Sequence, residues 1–564
     1  MPQDAFTIKF VAKELENLLV GGKISKITQP SRDDLTFIIY TRKGTVKLEA
    51  CFSASKCRLN LCGFEKPAPK VAPAFCMLLR KHLQNAEITA VEQIAGERIV
   101  RFDFLCTSEF ETKNLSLFCE LMGKYSNAVL CENGIILGAL KTTAIGESTR
   151  RVLFTGAKYT LPERQDKINP ENVSALEEAF KALNDTNGDR AKFIADRVLG
   201  VAYSTALEIC AEFNEEPTAN DVNRYICGGI AQPCVTFLNG EPNDFKVKSA
   251  DKNKRVYPSV LEAQTAFYAY VMQKQTFEEA KRKLLTAVNS TVKKLEKRIA
   301  TFDARLFECR DAELVKLKGE LITANIYAVK RGMDSFEAVN YYDEQGGKIK
   351  IALDKSLAPA DNAQKYYKKY AKMKRTVISV TEQKRETEEK LNYFNSIGAH
   401  ICAAETLLDL EETEEELKIC GLLKDDNKKK KPAKISPFRE FLCGGFKILA
   451  GRNNLQNDRL LKSVSPQDLW LHTKTYHSSH AVILTEGKPV PNGVILTAAE
   501  ICAYYSDGRG ASKVPVDYCL RRFVKKPPKT NAGFVIYTDY KTLLAEPNGH
   551  GELLKDENST EKPQ

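Results

Sequence analysis

The sequence contains one tryptophan, six histidines and no long apolar run. Its longest uncharged segment, 225–240, is interrupted by Gly228, Gly229 and Pro233, whereas a membrane-spanning helix needs about 18 or more consecutive apolar residues. The first residues also lack the cationic stretch and apolar core of a secretory signal. These absences predict a soluble, cytoplasmic protein without a membrane partner.

Motifs for enzymatic chemistry are absent as well. The sequence has no P-loop, no Gly-x-Gly-x-x-Gly after a strand and no nucleophile elbow. The 16 cysteines include no Cys-x-x-Cys pair, and several lie in apolar runs, which predicts reduced and buried thiols. The sequence therefore predicts binding surfaces, with no catalytic residue, cofactor or metal.

The composition is that of a folded, moderately basic chain. Of the 564 residues, 43% are hydrophobic, which excludes an intrinsically disordered protein. At roughly 100–200 residues per domain, this length predicts several domains. The 84 Lys and Arg residues exceed the 73 Asp and Glu residues, and the resulting net charge of +11 favours a nucleic-acid partner if the cations are clustered.

The first half of the chain has a mixed pattern that predicts a multidomain α+β protein. Residues 1–170 contain a helical pattern around 10–19, a hairpin signal at 35–50 and further strand-like runs up to 137. Residues 171–260 have a short helical pattern, with a glycine turn between two helices near Gly200. This turn fits a helix-hairpin-helix and an ordinary helical connector equally well.

The middle of the chain, 261–420, carries two heptad seams separated by a segment with strand character. Apolar residues recur at three- and four-residue spacings over 284–306 and again over 366–394. We expect one long antiparallel coiled-coil arm with a small tip domain at about 319–358. A helix of about 40 residues extends roughly 60 Å, which suggests a very large partner.

The remaining segments alternate between charged and globular composition. The acidic run 410–416 and the lysine-rich run 428–431 predict a solvated, charged linker, whose bounds we place at 421–436. Residues 437–547 are globular again and predict a small α/β domain, and 548–564 predict a disordered tail.

Two basic clusters are candidates for RNA binding. The first lies on the second arm helix, where cations alternate with tyrosines; it comprises Lys368, Lys369, Lys372, Lys374 and Arg375. The second lies near the C-terminus and includes Lys513, Lys525 and Lys526. The alternatives are a solvated coiled-coil face for the first cluster and an ordinary soluble surface for the second.

Two other features have a catalytic or metal alternative. His472, His477 and His480 fall within nine residues, but their spacing matches no zinc motif, so satisfied polar groups or RNA contacts are favoured over a metal. Pro2 could supply the N-terminal amine nucleophile of a DNA glycosylase/lyase. The residues after it and the missing four-cysteine finger differ from such enzymes.

Longer motifs resemble the NFACT family, in order, along nearly the whole chain from Asp4 to about residue 547. These motifs are 79–83 (LRKHL), 120–127 (ELMGKYSN), 319–327 (GELITANIY), 451–458 (GRNNLQND) and 468–474 (DLWLHTK). The resemblance implies a glycosylase-like NFACT-N domain without glycosylase chemistry, a helix-hairpin-helix, a coiled-coil arm and an NFACT-R domain at 437–547. Arg452, Asn453, Asn454, His472 and His480 are further candidates for RNA contact.

The resemblance also implies a role in ribosome-associated quality control. It implies binding to a large ribosomal subunit that is obstructed by peptidyl-tRNA with a stalled nascent chain. It further implies recruitment of tRNA-Ala, so that a C-terminal alanine tail marks the stalled chain for degradation. The peptide bond would form in ribosomal RNA, and this protein, a monomer on the ribosome, would position the tRNA.

An Asp near the N-terminus and an Asp-Arg pair engage tRNA in the family. Asp4 matches the first residue and Arg98 matches the Arg of the pair, whereas Glu97 stands in place of its Asp. Glu keeps the charge and moves the carboxylate outward by about one methylene. The alternatives to this function are the glycosylase/lyase that uses Pro2 and a surface adhesin that binds fibronectin.

Overall fold

The computed structural model describes residues 3–64, 68–94, 96–107, 111–143, 151–163, 166–184, 189–228, 230–343, 346–424 and 436–553. Pro2 and most of the predicted charged linker and tail lie outside these residues. The contacts divide the chain into two units, Met1–Gln275 and Thr276–Gln564. None of the described helices carries an apolar stretch long enough to cross a membrane.

A nine-stranded antiparallel sheet forms the core of the first unit, in the order β4-β3-β2-β1-β5-β6-β7-β8-β9. Helix α1 (Ala5–Leu19) buries one apolar face in this core, and α2 (Ala74–Leu83) buries another. The predicted hairpin at 35–50 is confirmed by β2 and β3. The strands are β1 (Lys23–Thr28), β2 (Asp34–Thr41), β3 (Gly44–Cys51), β4 (Arg58–Leu61), β5 (Glu87–Gln93), β6 (Ile99–Thr107), β7 (Thr112–Glu120), β8 (Asn127–Glu132) and β9 (Ile135–Ala139).

The segment predicted to be helical, 171–260, contains both helices and strands. Its helices are α3 (Val173–Asn184), α4 (Arg190–Arg197), α5 (Tyr203–Glu212) and α6 (Ala219–Cys227). Its strands are β10 (Cys234–Leu238), β11 (Glu241–Lys246) and β12 (Lys254–Val256). The helical prediction does not hold for these strands, because Asn239 and Gly240 both have positive φ, the geometry of a tight hairpin turn.

Two long helices follow, α7 (Val260–Glu308) and α9 (Pro359–Ala403). Within the second unit Lys281 of α7 donates to the carbonyl of Cys402 in α9 at 2.8 Å, and Asp303 of α7 pairs with Lys384 of α9 at 2.6 Å. Residue numbers rise along one partner and fall along the other, so the helices are antiparallel. The elements near this hairpin are α8 (Ala312–Ala324), β13 (Ser335–Val339), β14 (Lys348–Ala352) and α10 (Leu407–Ile419).

The C-terminal part of the second unit is built on a six-stranded antiparallel sheet in the order β15-β16-β18-β17-β19-β22. Helix α12 (Asn492–Tyr504) packs on the sheet, and α11 (Asn454–Ser463) joins β16 to β17. A separate two-stranded hairpin consists of β20 and β21. The strands are β15 (Arg439–Cys443), β16 (Phe446–Ala450), β17 (Leu469–Thr473), β18 (Ala481–Leu484), β19 (Val514–Leu520), β20 (Val524–Lys525), β21 (Ile536–Tyr537) and β22 (Lys541–Ala545).

Candidate nucleic-acid interface

Asp4 joins the N-terminal ends of two helices in the first unit. As the N-cap residue of α1, its Oδ1 accepts a hydrogen bond from the Thr7 amide at 2.9 Å. Its Oδ2 accepts from the amide of Ala202, the N-cap residue of α5, at 3.1 Å. The side chain is buried, with 7% exposure. Both carboxylate oxygens therefore have protein partners, and Asp4 holds other groups in place instead of facing a ligand.

Gln93 connects this capped end of α1 to the loop that carries Glu97 and Arg98. Its Nε2 donates to the carbonyl of Ala5 at 2.7 Å and to the carbonyl of Glu97 at 2.9 Å. Glu97 and Arg98 are half-buried between β5 and β6. The structure thus brings all three residues of the implied tRNA site into one cluster. Sequence reasoning missed Gln93, because no local pattern distinguishes it.

The glycine turn between α4 and α5 is the third part of this cluster. The Gly200 carbonyl accepts a hydrogen bond from the Phe6 amide at 3.0 Å, and Gly200 has a φ of +81°. Gly96 has a φ of +74°, and a Cβ there would lie 2.5 Å from Leu199. Both positions need glycine, because a side chain would be strained and, at Gly96, would also collide with the turn.

The predicted basic cluster on α9 is exposed along its length. Lys368, Lys369, Lys372, Lys374 and Arg375 all lie on the solvent side of the helix. Within the described part of the chain none of these five makes an ion pair, whereas Arg385 on the same helix pairs with Glu382 and Glu389. Such cations are available to phosphates.

The tyrosines between these cations pack against the protein. The Tyr366 hydroxyl donates to the Ala352 carbonyl at 2.7 Å, and the Tyr370 hydroxyl donates to Glu313. The Tyr367 ring lies against Gly319, where an added Cβ would be 3.2 Å from the ring. The aromatic side chains therefore hold α9 against α8 and β14, and the cations are the accessible charged groups of this stretch.

The C-terminal cations are only partly free. Lys513 and Lys525 are exposed, whereas Lys526 contacts the carboxylate of Asp458. His472 is half-buried, and its ring stacks on Trp470 at a centroid distance of 5.7 Å. His480 is buried, with its ring edge-on to the same tryptophan at 5.3 Å. Burial holds the pKa of His480 well below its usual range, so this histidine is neutral and inside the domain.

The 451–458 motif is buried against α10. Arg452 pairs with Asp409 at 3.3 Å, and Asn453 donates to Glu412 at 2.7 Å. Asn454 donates to Glu416 at 3.0 Å. The prediction of direct RNA contact needs correction for Arg452, Asn453, Asn454 and His480, because buried side chains with protein partners do not reach an outside ligand.

The acidic run that was predicted to be solvated forms α10. Asp409, Glu412 and Glu416 are all buried there, with exposures of 1%, 7% and 1%. Their partners lie about 40 residues along the chain in the 451–458 motif, which is why the run alone looks like a solvated segment. This prediction was wrong.

Two titratable groups in this contact have strongly shifted pKa values. Burial raises the pKa of Glu416 to about 7, although its Oε1 accepts from the Tyr393 hydroxyl at 2.8 Å. Burial lowers the pKa of His400 to about 4, and its Nε2 lies 3.2 Å from the Asn454 Oδ1. Neutral His400 is the donor in this pair, since an amide oxygen only accepts. Asn454 thereby bridges α9 and α10.

Family models match both parts of the chain. The NFACT N-terminal and middle domains match residues 4–436, and the NFACT protein RNA binding domain matches residues 438–536.

Full-length relatives are also similar. The chain is 32% identical to the Rqc2 homolog RqcH of Bacillus subtilis (strain 168), over 95% of this chain and 96% of that protein. It is 30% identical to the Rqc2 homolog RqcH of Streptococcus suis (strain 05ZYH33), over 97% and 98%. A solved N-terminal part of the Streptococcus suis fibronectin/fibrinogen-binding protein covers 47% of this chain and 98% of its own, with 25% identity and a TM-score of 0.42.

Proposed function

This chain belongs to the NFACT family, and from its membership we propose that it is a ribosome quality-control factor. The observation that carries the proposal is the match to RqcH proteins over 95% or more of the chain. The RNA-binding family domain and the exposed cations of α9 support a ribonucleoprotein partner. The protein acts as a soluble, cytoplasmic monomer on the ribosome.

The proposed task is alanine tailing of stalled chains. The protein binds a large ribosomal subunit that still holds peptidyl-tRNA, recruits tRNA-Ala and promotes addition of C-terminal alanine. The peptide bond forms in the peptidyl-transferase centre of the ribosome, so this chain is a binding factor and supplies no catalytic residue. The clustered Asp4, Glu97 and Arg98 are the proposed tRNA site.

The roles within that site differ among its residues. Arg98 and Glu97 contact the tRNA, because their loop is half-buried and faces solvent in part. Asp4 and Gln93 position that loop and the Gly200 turn, because their polar atoms are bound to backbone groups of both. The turn with α4 and α5 is the proposed helix-hairpin-helix.

Ribosomal RNA is the proposed ligand of the second unit. The five α9 cations, together with Lys513, Lys525 and Lys526, contact its phosphates, and the half-buried His472 is a further candidate contact. The buried Arg452, Asn453, Asn454 and His480 stabilise the domain that presents these cations. Helices α7 and α9 form the proposed coiled-coil arm. The proposed domains keep the bounds given in the sequence analysis, from 1–170 to 437–547.

The test separates tRNA recruitment from subunit binding. Cells that make the Arg98→Ala protein should accumulate stalled chains without alanine tails, while the protein still sediments with free large subunits. Gln93→Glu is the companion variant, because its carboxylate cannot donate to either carbonyl. Normal tails in both variants would contradict the proposed site. Failure of the wild-type protein to sediment with large subunits would contradict the proposed function itself.

A further inference from the structure

Hairpin β20–β21 exposes apolar side chains on one face. Lys525 lies directly opposite Ile536, so the two side chains share a face. Phe534 is two residues from Ile536, and exposure alternates along this segment: Phe534 and Ile536 are 52% and 53% exposed, whereas Val535 and Tyr537 are partly buried. Phe534 precedes β21, and this alternation of exposure continues the strand pattern and places Phe534 on the same side as Ile536. We call Lys525, Phe534 and Ile536 the hairpin platform.

The chain segment that carries the hairpin platform is rich in cations. The segment 521–541 contains six cations and a single acid, Asp539. Arg521 donates to backbone carbonyls, including that of Leu461 at 2.8 Å, and Lys526 contacts Asp458. Arg522, Lys525 and Lys529 remain exposed and, within the described residues, without ion pairs. An exposed apolar face beside several unpaired cations suits a polyanion that also carries aromatic rings.

A second exposed ring lies close to this hairpin. Tyr540 is 44% exposed, its ring centroid is 5.2 Å from that of Tyr537 on β21, and the Lys474 ammonium lies 5.2 Å from it. Tyr540 and Lys474 are thus a second aromatic ring with a cation beside it. Tyr540 also lies beyond residue 536, where the match to the RNA-binding family domain ends.

We propose that the hairpin platform stacks unpaired RNA bases on Phe534 and Ile536, while Lys525, Lys529 and Arg522 contact the flanking phosphates. Single-stranded nucleic acids are bound by this combination of rings and cations, because every base has a face that can stack. Protein interfaces, by contrast, have cores depleted of charge. The inference rests on the proposed function and names its ligand on this surface: single-stranded segments of RNA, read by their bases as well as their phosphates.

The experiment compares two oligonucleotides with the full chain by fluorescence anisotropy. One is a short unstructured RNA, and the other has the same number of phosphates but abasic positions. Phe534→Ala should weaken binding of the RNA about tenfold and leave binding of the abasic strand unchanged, since a stacked base contributes on that order. Lys525→Ala should weaken both and reduce the salt dependence by the equivalent of about one phosphate.

Matched variants distinguish stacking from general damage. Phe534→Tyr keeps the ring and should bind like the wild type. Leu544→Ala removes an apolar side chain of similar exposure, 63%, from β22 and should change neither affinity. Equal losses of Phe534→Ala on both strands, no loss on either, or a Phe534 dependence seen only with anionic vesicles would each overturn the proposal.

A parallel sedimentation with large subunits separates this inference from the proposed function. If subunits are bound but wild-type protein does not discriminate between the two oligonucleotides, the hairpin platform is refuted and the proposed function stands. If subunits are not bound but Phe534-dependent discrimination persists, base stacking stands and the proposed function is refuted.

Discussion

At the scale of single residues, Asp4 shows how one carboxylate can serve two helix N-termini. The amides of Thr7 in α1 and Ala202 before α5 both donate to it. Its negative charge lies where the two helix dipoles are positive, so it occupies the position that an external anion would take. In the proposed tRNA site Asp4 would therefore act by positioning other groups, without a direct contact.

Substitution of Asp4 tests this double role. Asp4→Ala should lower the free energy of unfolding by about 2 kcal/mol, since the cap of α1 and the hydrogen bond to the Ala202 amide are both lost, at about 1 kcal/mol each. Asp189 caps only α4, through the Lys192 amide at 3.1 Å, so Asp189→Ala should cost about half as much. Urea unfolding measures both. Equal losses would contradict a bridging role for Asp4.

The pKa of Glu416 makes a second prediction at this scale. Because burial raises the pKa of Glu416 to about 7, the folded protein holds a proton that the unfolded chain releases near the ordinary pKa of 4.5. The protonated Glu416 carboxyl therefore adds to the free energy of unfolding below pH 4.5, and this contribution is lost as pH rises toward 7. Glu416→Gln should therefore gain stability relative to wild type across this window, by on the order of 3 kcal/mol. Thermal unfolding at pH 5 and pH 7.5 measures the difference, and a pH-independent difference would contradict it.

At the scale of elements, α9 has two differently charged halves. Cations at 368–375 make no ion pairs among the described residues, whereas Lys384 and Arg385 pair with carboxylates. Exposed pairs add little stability, but a paired cation is less available to a phosphate. The unpaired half is therefore the half expected to bind RNA.

Charge reversal on each half tests this difference. Lys369→Glu with Lys372→Glu should weaken binding to large subunits and reduce the slope of log affinity against log salt by one to two, about one for each lost phosphate contact. Lys384→Glu with Arg385→Glu, on the same helix, should leave the slope unchanged, because both cations are already paired. Salt titrations with purified subunits measure it. An equal loss of slope in the two variants would contradict a special role for the unpaired half of α9.

The sequence predicted elements whose signal is local and missed those that depend on distant partners. The hairpin at 35–50 has both its strands and its turn within one short window, and it was found. Burial of Glu412 depends on Asn453 and Gln456, which lie beyond the linker. The residues next to Glu412 in the sequence are acidic, and they alone predict a solvated segment. The clustering of Asp4 with Arg98 came from resemblance alone, because Gln93 and Gly200 give no periodic signal.

At the scale of the second unit, buried polar contacts join the C-terminal domain to α9 and α10. Arg439 is 1% exposed, donates to the Ala403 carbonyl at 3.0 Å and lies 4.0 Å from the centre of the Tyr505 ring. Arg452 adds its pair with Asp409. Contacts of this kind stabilise one arrangement because each needs its partner in place.

Two arginines that both pair with α10 should differ in their contribution. Arg452→Ala leaves Asp409 buried without its charge partner and should destabilise the protein by about 3–5 kcal/mol. Arg459 pairs with Glu412 at 3.3 Å, but its side chain is 37% exposed, so Arg459→Ala should cost about 1 kcal/mol or less. Chemical denaturation followed by Trp470 fluorescence measures both, and a comparable loss in the two variants would contradict the role of burial.

The antiparallel pairing of α7 and α9 also limits which insertions and deletions the two helices can accept. Lys281 with Cys402 and Asp303 with Lys384 give almost the same sum of residue numbers. An insertion in one helix alone would shift every later partner and rotate its apolar side chains by about 100° per residue. Natural insertions and deletions in this hairpin should therefore occur as matched pairs, close to seven residues on each side.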